Sequence, residues 1–334
     1  MNFHGEMLDS HVLHVYLLIA PDFFGVGSVI PLAKSRPQVV TRALRMKKLA
    51  GDLCAAIGGR HTHPLTLCVG GFTHVPTVRE LEHLRARLEA ARADVDVTVE
   101  LFRSLTLPAF ERETEYIALR KPDEYAFIGG TIATSDGFQF AIDDYAEVTN
   151  EFLVSHSTAK HTRHHRDAYM VGALARFNVN HARLHPRAQA AAVALRLESI
   201  CTNPYMNSIA QIVEIVHCLE DAIALIDALL ERGIESEPPP AIEVQPGAGV
   251  GACEVPRGTL YHHYRIGADG RMAGANCIIP TGQNLANVEA DMRALVPRLL
   301  DRTQDEIRLA LEMLVRAYDP CISCATHMLD VRFE

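Results

Sequence analysis

The sequence predicts a mostly α-helical protein with small β pieces. Of its 334 residues, 48% are hydrophobic and 22% are charged, an ordinary globular composition that allows a sizeable core. Apolar residues recur at helical spacing over much of the chain, and two capping boxes, Thr77-x-x-Glu80 and Thr303-x-x-Glu306, mark helix starts. Residues 117–180 lose this periodicity, and there we expect short strands between turns.

In the first half of the chain, helical spacing begins near the N-terminus and stops at Pro21. His11 and His14 lie three residues apart on this helix, and such a pair is more often a packed or hydrogen-bonded core feature than a set of metal ligands. Gly58-Gly59 and Gly70-Gly71 end a second helix and a short strand. We therefore expect helices over about 7–20, 37–57 and from 78 onward, and strands over about 65–69, 124–128 and 137–142.

In the second half, the longest helix starts after Asn203, a capping residue followed by Pro204, and ends at Gly233. The Pro/Gly-rich segment 235–251 is expected to be an extended linker, and Gly267 to Gly270 predicts a hairpin turn. The remaining expected elements are a helix over 186–198, strands over 258–266 and 272–279, and a last helix from 303 to 318 that buries Ile307, Leu311 and Leu314. We expect one domain over residues 1–334.

Charge and cysteine content exclude several classes of protein. The chain has a net charge of −9 and therefore no excess of basic residues to neutralise phosphates, so we expect no nucleic-acid partner. The apolar run from Val15 to Ala20 is far shorter than the roughly 20 residues that cross a bilayer, and no basic leader is present. Eight cysteines are too few for a disulfide scaffold. We therefore expect a cytoplasmic protein with reduced thiols and no transmembrane segment.

The sharpest motif lies at the carboxyl end, where Asp319-Pro320-Cys321-x-x-Cys324-x-x-His327 follows the last helix. Pro320 stops that helix, so the two cysteines lie on a turn that can direct both sulfurs to one side. Two thiolates three residues apart, with an imidazole three residues later, suit a soft or borderline metal ion. The alternative is a pair of buried thiols without a metal.

Three further segments carry candidate groups. In the segment 251–264, Gly251 and Gly258 flank Glu254 and Arg257, which suggests close backbone approach to an anion. A strand entry with a surface arginine is the simpler interpretation. The segment 280–284, Pro-Thr-Gly-Gln-Asn, has the composition of a turn before a helix. Four histidines interleaved with basic residues can bind a metal or form a solvated loop, and we favour the loop: His156, His161, His164 and His165.

Taken together, these segments resemble the large, catalytic (alpha) subunit of [NiFe]-hydrogenases, most closely the cytoplasmic bidirectional group coupled to nicotinamide or related carriers. The resemblance rests on Asp319–His327, on Glu254–His262 with the form Glu-x-Pro-Arg-Gly-x-Leu-x-His, and on 280–284. Ser10-His11-x-x-His14 and Tyr169-x-Val-Gly-x-Leu-Ala-Arg176 match earlier family segments. The resemblance covers the chain from residue 1 to its end and implies the helical core of that family.

The resemblance implies reversible oxidation of H2 to protons and electrons at a centre of one nickel and one iron, the iron carrying cyanide and carbon monoxide. In that family four cysteines hold the metals, so Cys321 would be a terminal nickel ligand able to accept a proton, and Cys324 would bridge nickel and iron. Pro256 and Arg257 would lie over the diatomic ligands of the iron, and Thr281 would donate a hydrogen bond to one cyanide.

The same resemblance implies roles for groups around this centre. Asp319 would be a supporting carboxylate near Arg257, and His327 would bind magnesium or iron together with a backbone carbonyl near Cys277. The family is cleaved after this histidine, so a maturation endopeptidase would remove the tail 328–334. Electrons would leave through an iron–sulfur small subunit, and reductase subunits for NAD(P) or a similar carrier would complete the assembly.

The sequence lacks one motif of this family, and two alternative functions remain open. The family's N-terminal Cys-x-x-Cys lies upstream of the Ser10-His11 segment and has no counterpart in this sequence, so we expect the isolated chain to lack half of the nickel ligands and to be inactive alone. The quinone-site subunit of respiratory complex I shares the fold, but the intact cysteine pair argues against it. The other alternative is a non-catalytic scaffold or partner-binding subunit that holds zinc at Cys321 and Cys324.

Overall fold

The computed structural model describes residues 1–235, 238, 241–321 and 324. It confirms a helix-dominated fold, with 53% of residues in helices and 15% in strands. The helices are α1 (Asn2–Leu13), α2 (Ala20–Phe23), α3 (Val29–Ser35), α4 (Pro37–Gly58), α5 (Val78–Arg103), α6 (Tyr145–Val148), α7 (Ala173–Asn180), α8 (Pro186–Ala194), α9 (Asn207–Arg232), α10 (Pro280–Leu295) and α11 (Gln304–Ala317). The strands are β1 (Leu67–Cys68), β2 (Gly71–Phe72), β3 (Glu115–Arg120), β4 (Thr131–Thr134), β5 (Gln139–Phe140), β6 (Glu151–Phe152), β7 (His161–Thr162), β8 (Tyr169–Met170), β9 (Gly247–Val255), β10 (Gly258–Ile266) and β11 (Met272–Ile278).

The described residues cluster into two compact units. Unit 1 comprises Met1–Thr106, Leu184–Leu197 and Ile209–Val244. Unit 2 comprises Leu107–Arg183, Glu198–Ser208 and Gln245–Glu334, as far as these residues are described. Each unit is assembled from three separate stretches of chain, and no change in composition marks the crossings, so sequence patterning alone does not reveal them.

Unit 1 is built from amphipathic helices. On α5 the capping box predicted from the sequence is present, since the Thr77 hydroxyl accepts from the Glu80 N–H at 3.3 Å and the Glu80 carboxylate accepts from the Thr77 N–H at 2.8 Å. The leucines that the sequence directs inward on this helix are buried, namely Leu81, Leu84 and Leu88. Gly233, with φ +84°, ends the long helix α9 as expected.

The core of unit 1 also contains histidines with hydrogen-bond partners. The α1 helix continues into a π-helical turn, His14–Ile19, which the sequence analysis did not anticipate. His11 Nε2 lies 2.7 Å from the Glu214 carboxylate, and His14 Nδ1 lies 2.5 Å from the Gln211 side-chain oxygen. The structure therefore confirms His11 and His14 as a hydrogen-bonded core feature.

Unit 2 packs small sheets around an aromatic and aliphatic core. One sheet has the strand order β5-β4-β3-β8 and another has the order β11-β10-β9. The hairpin β10–β11 forms as predicted, with Tyr261 opposite Ile278 in the register. The core cluster draws on both sheets: Ile117, Leu119, Ala126, Ile132, Tyr145, Val148, Tyr169, Val171, Ala252, Tyr261 and Ile278.

Several predicted boundaries are wrong for identifiable reasons. Glu124–Ile128 is not a strand, because within it only Ile128 forms a bridge, an isolated one with Cys253 of β9. The predicted linker 235–251 is too long, because β9 begins at Gly247 and its small residues pair with β10. The strand 65–69 shrinks to β1, and the helix 186–198 ends at Ala194.

The last helix is amphipathic but only partly covered. Leu314 is buried, as predicted, whereas Ile307 and Leu311 are half-exposed. The sequence pattern therefore identified the apolar face of α11 but overestimated how much of it is buried. None of the described helices is both long and apolar enough to cross a membrane.

Candidate metal centre in unit 2

The end of α11 fixes where the cysteine motif begins. The carbonyl of Ala317, the last helical residue, accepts a hydrogen bond from the Asn207 side chain at 2.8 Å. The next residue, Tyr318, is buried; its hydroxyl accepts from Asn287 at 2.7 Å and donates to the Asp291 carboxylate. Asp319 then adopts φ +51°, a left-handed conformation that aspartate tolerates better than most residues. The chain therefore leaves the helix in a defined direction.

The two cysteines of the motif lie together on the turn that follows. Cys321 and Cys324 are joined as a disulfide, with their Cα atoms 5.4 Å apart. The Cys321 N–H donates to the Thr281 hydroxyl at 3.1 Å. Thr281 is buried in the first turn of α10, where Pro280 starts the helix without needing an N–H partner. The two sulfurs lie on one side of the turn, as the sequence analysis expected, but they are joined as a disulfide rather than present as the expected reduced thiols.

Arg257 holds the residue just before the cysteine motif. Its Nε donates to the Asp319 carbonyl at 2.7 Å, and its Nη2 lies 3.0 Å from the Asp319 carboxylate. Asp319 is buried and Arg257 is half-buried, so the pair is shielded from most of the solvent. An arginine fork bound at two points has a fixed orientation as well as a fixed charge. Arg257, Asp319, Thr281 and Cys321 therefore form one connected group.

A second arginine supports the turn that carries Arg257. Arg176 and Glu254 are both fully buried and lie 3.0 Å apart. Arg176 also donates to the carbonyls of Val255 at 2.9 Å and Pro256 at 3.0 Å. Burial raises the pKa of the Glu254 carboxyl, while Arg176 and the hydrogen bonds that Glu254 accepts act in the opposite direction. Pro256 and Arg257 are thus positioned by a buried ion pair.

Gly258 permits the close packing at this turn. Its φ is +135°, and a Cβ at this position would collide with the side chain of Val171. Any other residue would therefore push the turn away from β8 and displace Arg257. The glycine of the sequence motif is explained by this approach of backbone to side chain.

Not every predicted site residue joins this group. Cys277 is exposed on β11, where its sulfur lies 3.9 Å from the Tyr264 hydroxyl. His327 lies outside the described residues, as does the tail 328–334. The four histidines interpreted as a solvated loop instead meet carboxylates: His156 and His161 contact Glu289, and His164 and His165 contact Glu115.

Sequence reasoning missed the groups that support the site from elsewhere in the chain. Arg176 was identified only as part of a family segment, and Asn207 was not identified at all. Arg112 is a third supporting residue. Its guanidinium contacts the Asp291 carboxylate, which also accepts the hydrogen bond from the Tyr318 hydroxyl. Their partners are 78 to 179 positions away in the sequence, so no local spacing could reveal them.

Two cysteines on one turn beside an oriented arginine are typical of a metal-binding subunit of a redox protein. Comparison with known proteins specifies the family of this subunit. Residues 143–327 match the family described as nickel-dependent hydrogenase. The chain is 34% identical to the alpha subunit of sulfhydrogenase 1 from Pyrococcus furiosus over 327 residues, which is 97% of this chain and 76% of that relative. It is 30% identical to one subunit of the F420-non-reducing hydrogenase of Methanothermobacter thermautotrophicus, over 98% of this chain and 74% of the relative.

The same conclusion holds at the level of the fold. An NAD+-reducing [NiFe]-hydrogenase in the H2-reduced state matches with a TM-score of 0.83 and 24% identity, over 98% of this chain and 78% of that chain. This chain belongs to the large-subunit family of the nickel-dependent hydrogenases, oxidoreductases that act on H2. The resemblance identified in the sequence and the helical core that it implied are confirmed.

The residues present fit the nickel–iron centre that this family implies. Once the disulfide between them is reduced, Cys321 and Cys324 offer two soft thiolate donors from one turn, with Cα atoms only 5.4 Å apart. Beside them, the Arg257 guanidinium is oriented by Asp319 and can serve as a fixed hydrogen-bond donor to an anionic ligand. The chemistry of this donor set agrees with a soft metal carrying anionic ligands.

Proposed function

We propose that the turn at Cys321 holds the nickel–iron centre at which H2 is reversibly converted into two protons and two electrons. The observation that carries this proposal is the convergence of Arg257 and Thr281 on residues 319–321, where Arg257 contacts Asp319 and Thr281 contacts Cys321. When bound, the centre supplies a soft, electron-rich metal pair that polarises and cleaves H2. The protein residues bind that centre, orient its ligands and move protons.

Each residue of the group has a distinct proposed role. Cys321 and Cys324 would hold the metals, and the Cys321 Sγ would accept a proton derived from H2. Thiolate sulfur serves both purposes because it is a soft ligand and a weak base. Asp319 positions Arg257 rather than touching the metals. This positioning role is supported by the two contacts of Arg257 with Asp319, one to its carbonyl and one to its carboxylate.

The iron is proposed to carry cyanide and carbon monoxide. Arg257 and Pro256 would hold these diatomic ligands, and the guanidinium would donate a hydrogen bond to one cyanide. The Thr281 hydroxyl accepts from the Cys321 N–H, so its own proton remains available for the second cyanide. Charge-assisted donors favour cyanide over neutral carbon monoxide.

A second metal position is proposed beside this centre. His327 would bind magnesium or iron together with a backbone carbonyl near Cys277, and a maturation endopeptidase would remove the tail after His327. The carbonyl oxygen suits magnesium, and the imidazole suits iron. The cleavage would let the C-terminal histidine settle at its ion.

The relatives also guide the proposed assembly. They are named as individual subunits of hydrogenases, among them alpha and beta subunits, so this chain works with at least a small subunit. We propose that this partner carries iron–sulfur clusters, and that reductase subunits pass electrons to NAD(P) or a similar carrier. A relative named as NAD-reducing supports the last step and, with it, a cytoplasmic location.

Elemental analysis of the matured complex tests the proposal. We expect Cys321→Ser and Cys324→Ser each to lower the nickel content by about tenfold or more, because each replaces a soft ligand with a hard one. H2-dependent reduction of a viologen dye should fall with it. Cys68→Ser, at a half-buried unpaired cysteine, is the matched control and should leave both unchanged. Full nickel in Cys321→Ser would overturn the assignment, and zinc in place of nickel in the unaltered complex would favour a non-catalytic scaffold.

A further inference from the structure

Three metal-ligating side chains meet at one edge of unit 2, apart from the cysteine turn. Glu115 is the first residue of β3, and His164 and His165 lie in the loop that leads into β8. The strands β3 and β8 pair in parallel, with Glu115 opposite Tyr169 in the register. This pairing brings the histidine loop over the Glu115 carboxylate.

The three ligand atoms form a nearly equilateral triangle. His164 Nδ1 lies 3.1 Å from Glu115 Oε2, His165 Nδ1 lies 3.2 Å from the same oxygen, and the two Nδ1 atoms are 3.2 Å apart. Ligands bound tetrahedrally to zinc at 2.0–2.1 Å are separated by about 3.3–3.4 Å. The triangle thus matches one face of a zinc coordination sphere to within a few tenths of an ångström.

The surroundings orient the two rings for this role. The other ring nitrogen of His165, Nε2, lies 2.9 Å from the Asp136 carboxylate, and Asp136 is itself held by Arg166 Nε at 2.6 Å. A carboxylate on the distal nitrogen is the usual support of a metal-bound histidine, because it fixes the tautomer and raises the ligand basicity. Phe138 packs against both rings, with centroids 4.9 Å and 5.5 Å away.

Burial of the carboxylate favours a cation at this position. The Glu115 side chain is fully buried and that of His164 is 8% exposed, whereas His165 is 38% exposed. A buried carboxylate is costly unless positive charge and hydrogen bonds compensate it. The exposed side of His165 gives an ion and a water molecule a route of entry.

A second triad in unit 2 shows why this one is preferred. His156 Nε2 and His161 Nε2 lie 2.7 Å and 2.9 Å from Glu289 Oε1. There, however, Arg293 Nη2 contacts the other Glu289 oxygen at 2.9 Å and already supplies positive charge. The described contacts of Glu115 are with the two imidazoles and include no arginine or lysine side chain.

We propose that Glu115, His164 and His165 bind a zinc ion, with water at the fourth position. The ion is separate from the nickel–iron centre, because it uses nitrogen and oxygen ligands only and none of the residues of the cysteine turn. Neutral imidazoles and a carboxylate suit Zn2+ among the common divalent ions.

Zinc binding by the full chain in a Cys321→Ser/Cys324→Ser background tests the proposal, since this background removes the competing thiolates. After chelator treatment and dialysis against zinc chloride, we expect about one zinc per chain, as a single site requires, with only nitrogen and oxygen ligands in the X-ray absorption spectrum. His164→Gln and His165→Gln should abolish this binding. Asp136→Asn should weaken it by about 10–100-fold, the usual effect of losing a supporting carboxylate.

Matched histidine variants keep the test specific. His181→Gln, an exposed histidine whose ring contacts Phe177, and His156→Gln should both retain the zinc. Circular dichroism identifies the variants that are folded, and His165→Gln alters the most exposed member of the triad. A folded His165→Gln chain with undiminished zinc would overturn the proposal. Loss of zinc in His156→Gln, with retention in His165→Gln, would also overturn it and would assign the ion to the second triad.

Discussion

Buried polar groups have different partners in the histidine-containing core of unit 1 and around the cysteine turn of unit 2. In unit 1 they include histidines, such as His11 on Glu214 and His14 on Gln211. Around the cysteine turn of unit 2 they are arginine–carboxylate pairs, Arg176 with Glu254 and Arg257 with Asp319. Arginine stays protonated at every pH a protein tolerates, whereas a histidine changes charge near neutrality.

This difference separates what is sensitive to pH from what is not. The arginine side chains that orient the candidate centre keep their charge throughout the pH range in which a protein stays folded. In unit 1, by contrast, burial lowers the pKa of His217 to about 4, so the ring is neutral at pH 7. We therefore expect acid to weaken unit 1 through its buried histidine His217.

The largest expected effect comes from breaking the fully buried pair. Arg176→Met removes the partner of Glu254 and the donor to two carbonyls of the turn. We expect the free energy of unfolding, measured by urea denaturation, to fall by about 3–5 kcal/mol, because the remaining carboxylate is left uncompensated. Arg293→Met breaks an exposed pair and should cost only about 0–1 kcal/mol. Equal losses in the two variants would contradict the role given to burial.

The next effect is the pH dependence of unit 1. Folded His217 takes up its proton near pH 4, but the unfolded residue does so near 6.5, so the unfolded state binds more protons between these values. The stability from neutral His217 is therefore complete above pH 6.5 and is lost as the pH falls towards 4. At about 1.4 kcal/mol per pH unit, the loss amounts to about 3 kcal/mol.

His217→Gln isolates this contribution. Glutamine keeps an acceptor for the His185 N–H, which the His217 Nδ1 accepts at 3.1 Å, but it does not titrate. Urea denaturation between pH 4 and 7 should therefore show a flatter stability curve for the variant. The neighbours Asp221, His4, Glu214 and His185 are unchanged in both proteins. An unaltered slope would show that other groups cause the acid sensitivity.

The smallest effect concerns the helix that leads into the cysteine turn. Thr303→Ala removes the cap of α11, whose hydroxyl accepts from the Glu306 N–H at 3.3 Å. Loss of such a cap costs about 1 kcal/mol, measurable by thermal denaturation. Ser28→Ala is a suitable control, because Ser28 precedes α3 without a capping hydrogen bond from its side chain. A larger loss in Ser28→Ala than in Thr303→Ala would contradict the capping account.

Local patterns in the sequence predicted local features well. The hairpin β10–β11 and both capping boxes follow from short-range turn and cap chemistry, and each is present. The cysteine pair and its neighbour Thr281 were also expected together, because the resemblance linked separate motifs. Such features depend on residues a few positions apart or on motifs already associated in a family.

Long-range arrangements were not predictable in the same way. Arg176 reaches Glu254 only because the chain returns to unit 2 after leaving it, and no pattern in the sequence encodes that return. The histidine loop gave the same difficulty: its composition is that of a solvated loop, yet β3 pairing with β8 sets Glu115 beneath it. Tertiary topology, rather than residue type, decides these contacts.

Infrared spectroscopy of the matured complex tests the central claim most directly. The account predicts stretching bands of iron-bound cyanide and carbon monoxide in the unaltered protein. In Arg257→Lys the cyanide bands should shift more than the carbon monoxide band, because lysine lacks the planar donor fork that Asp319 orients. Absence of these bands from a nickel-containing complex, or identical bands in Arg257→Lys, would contradict the placement of the centre beside Arg257.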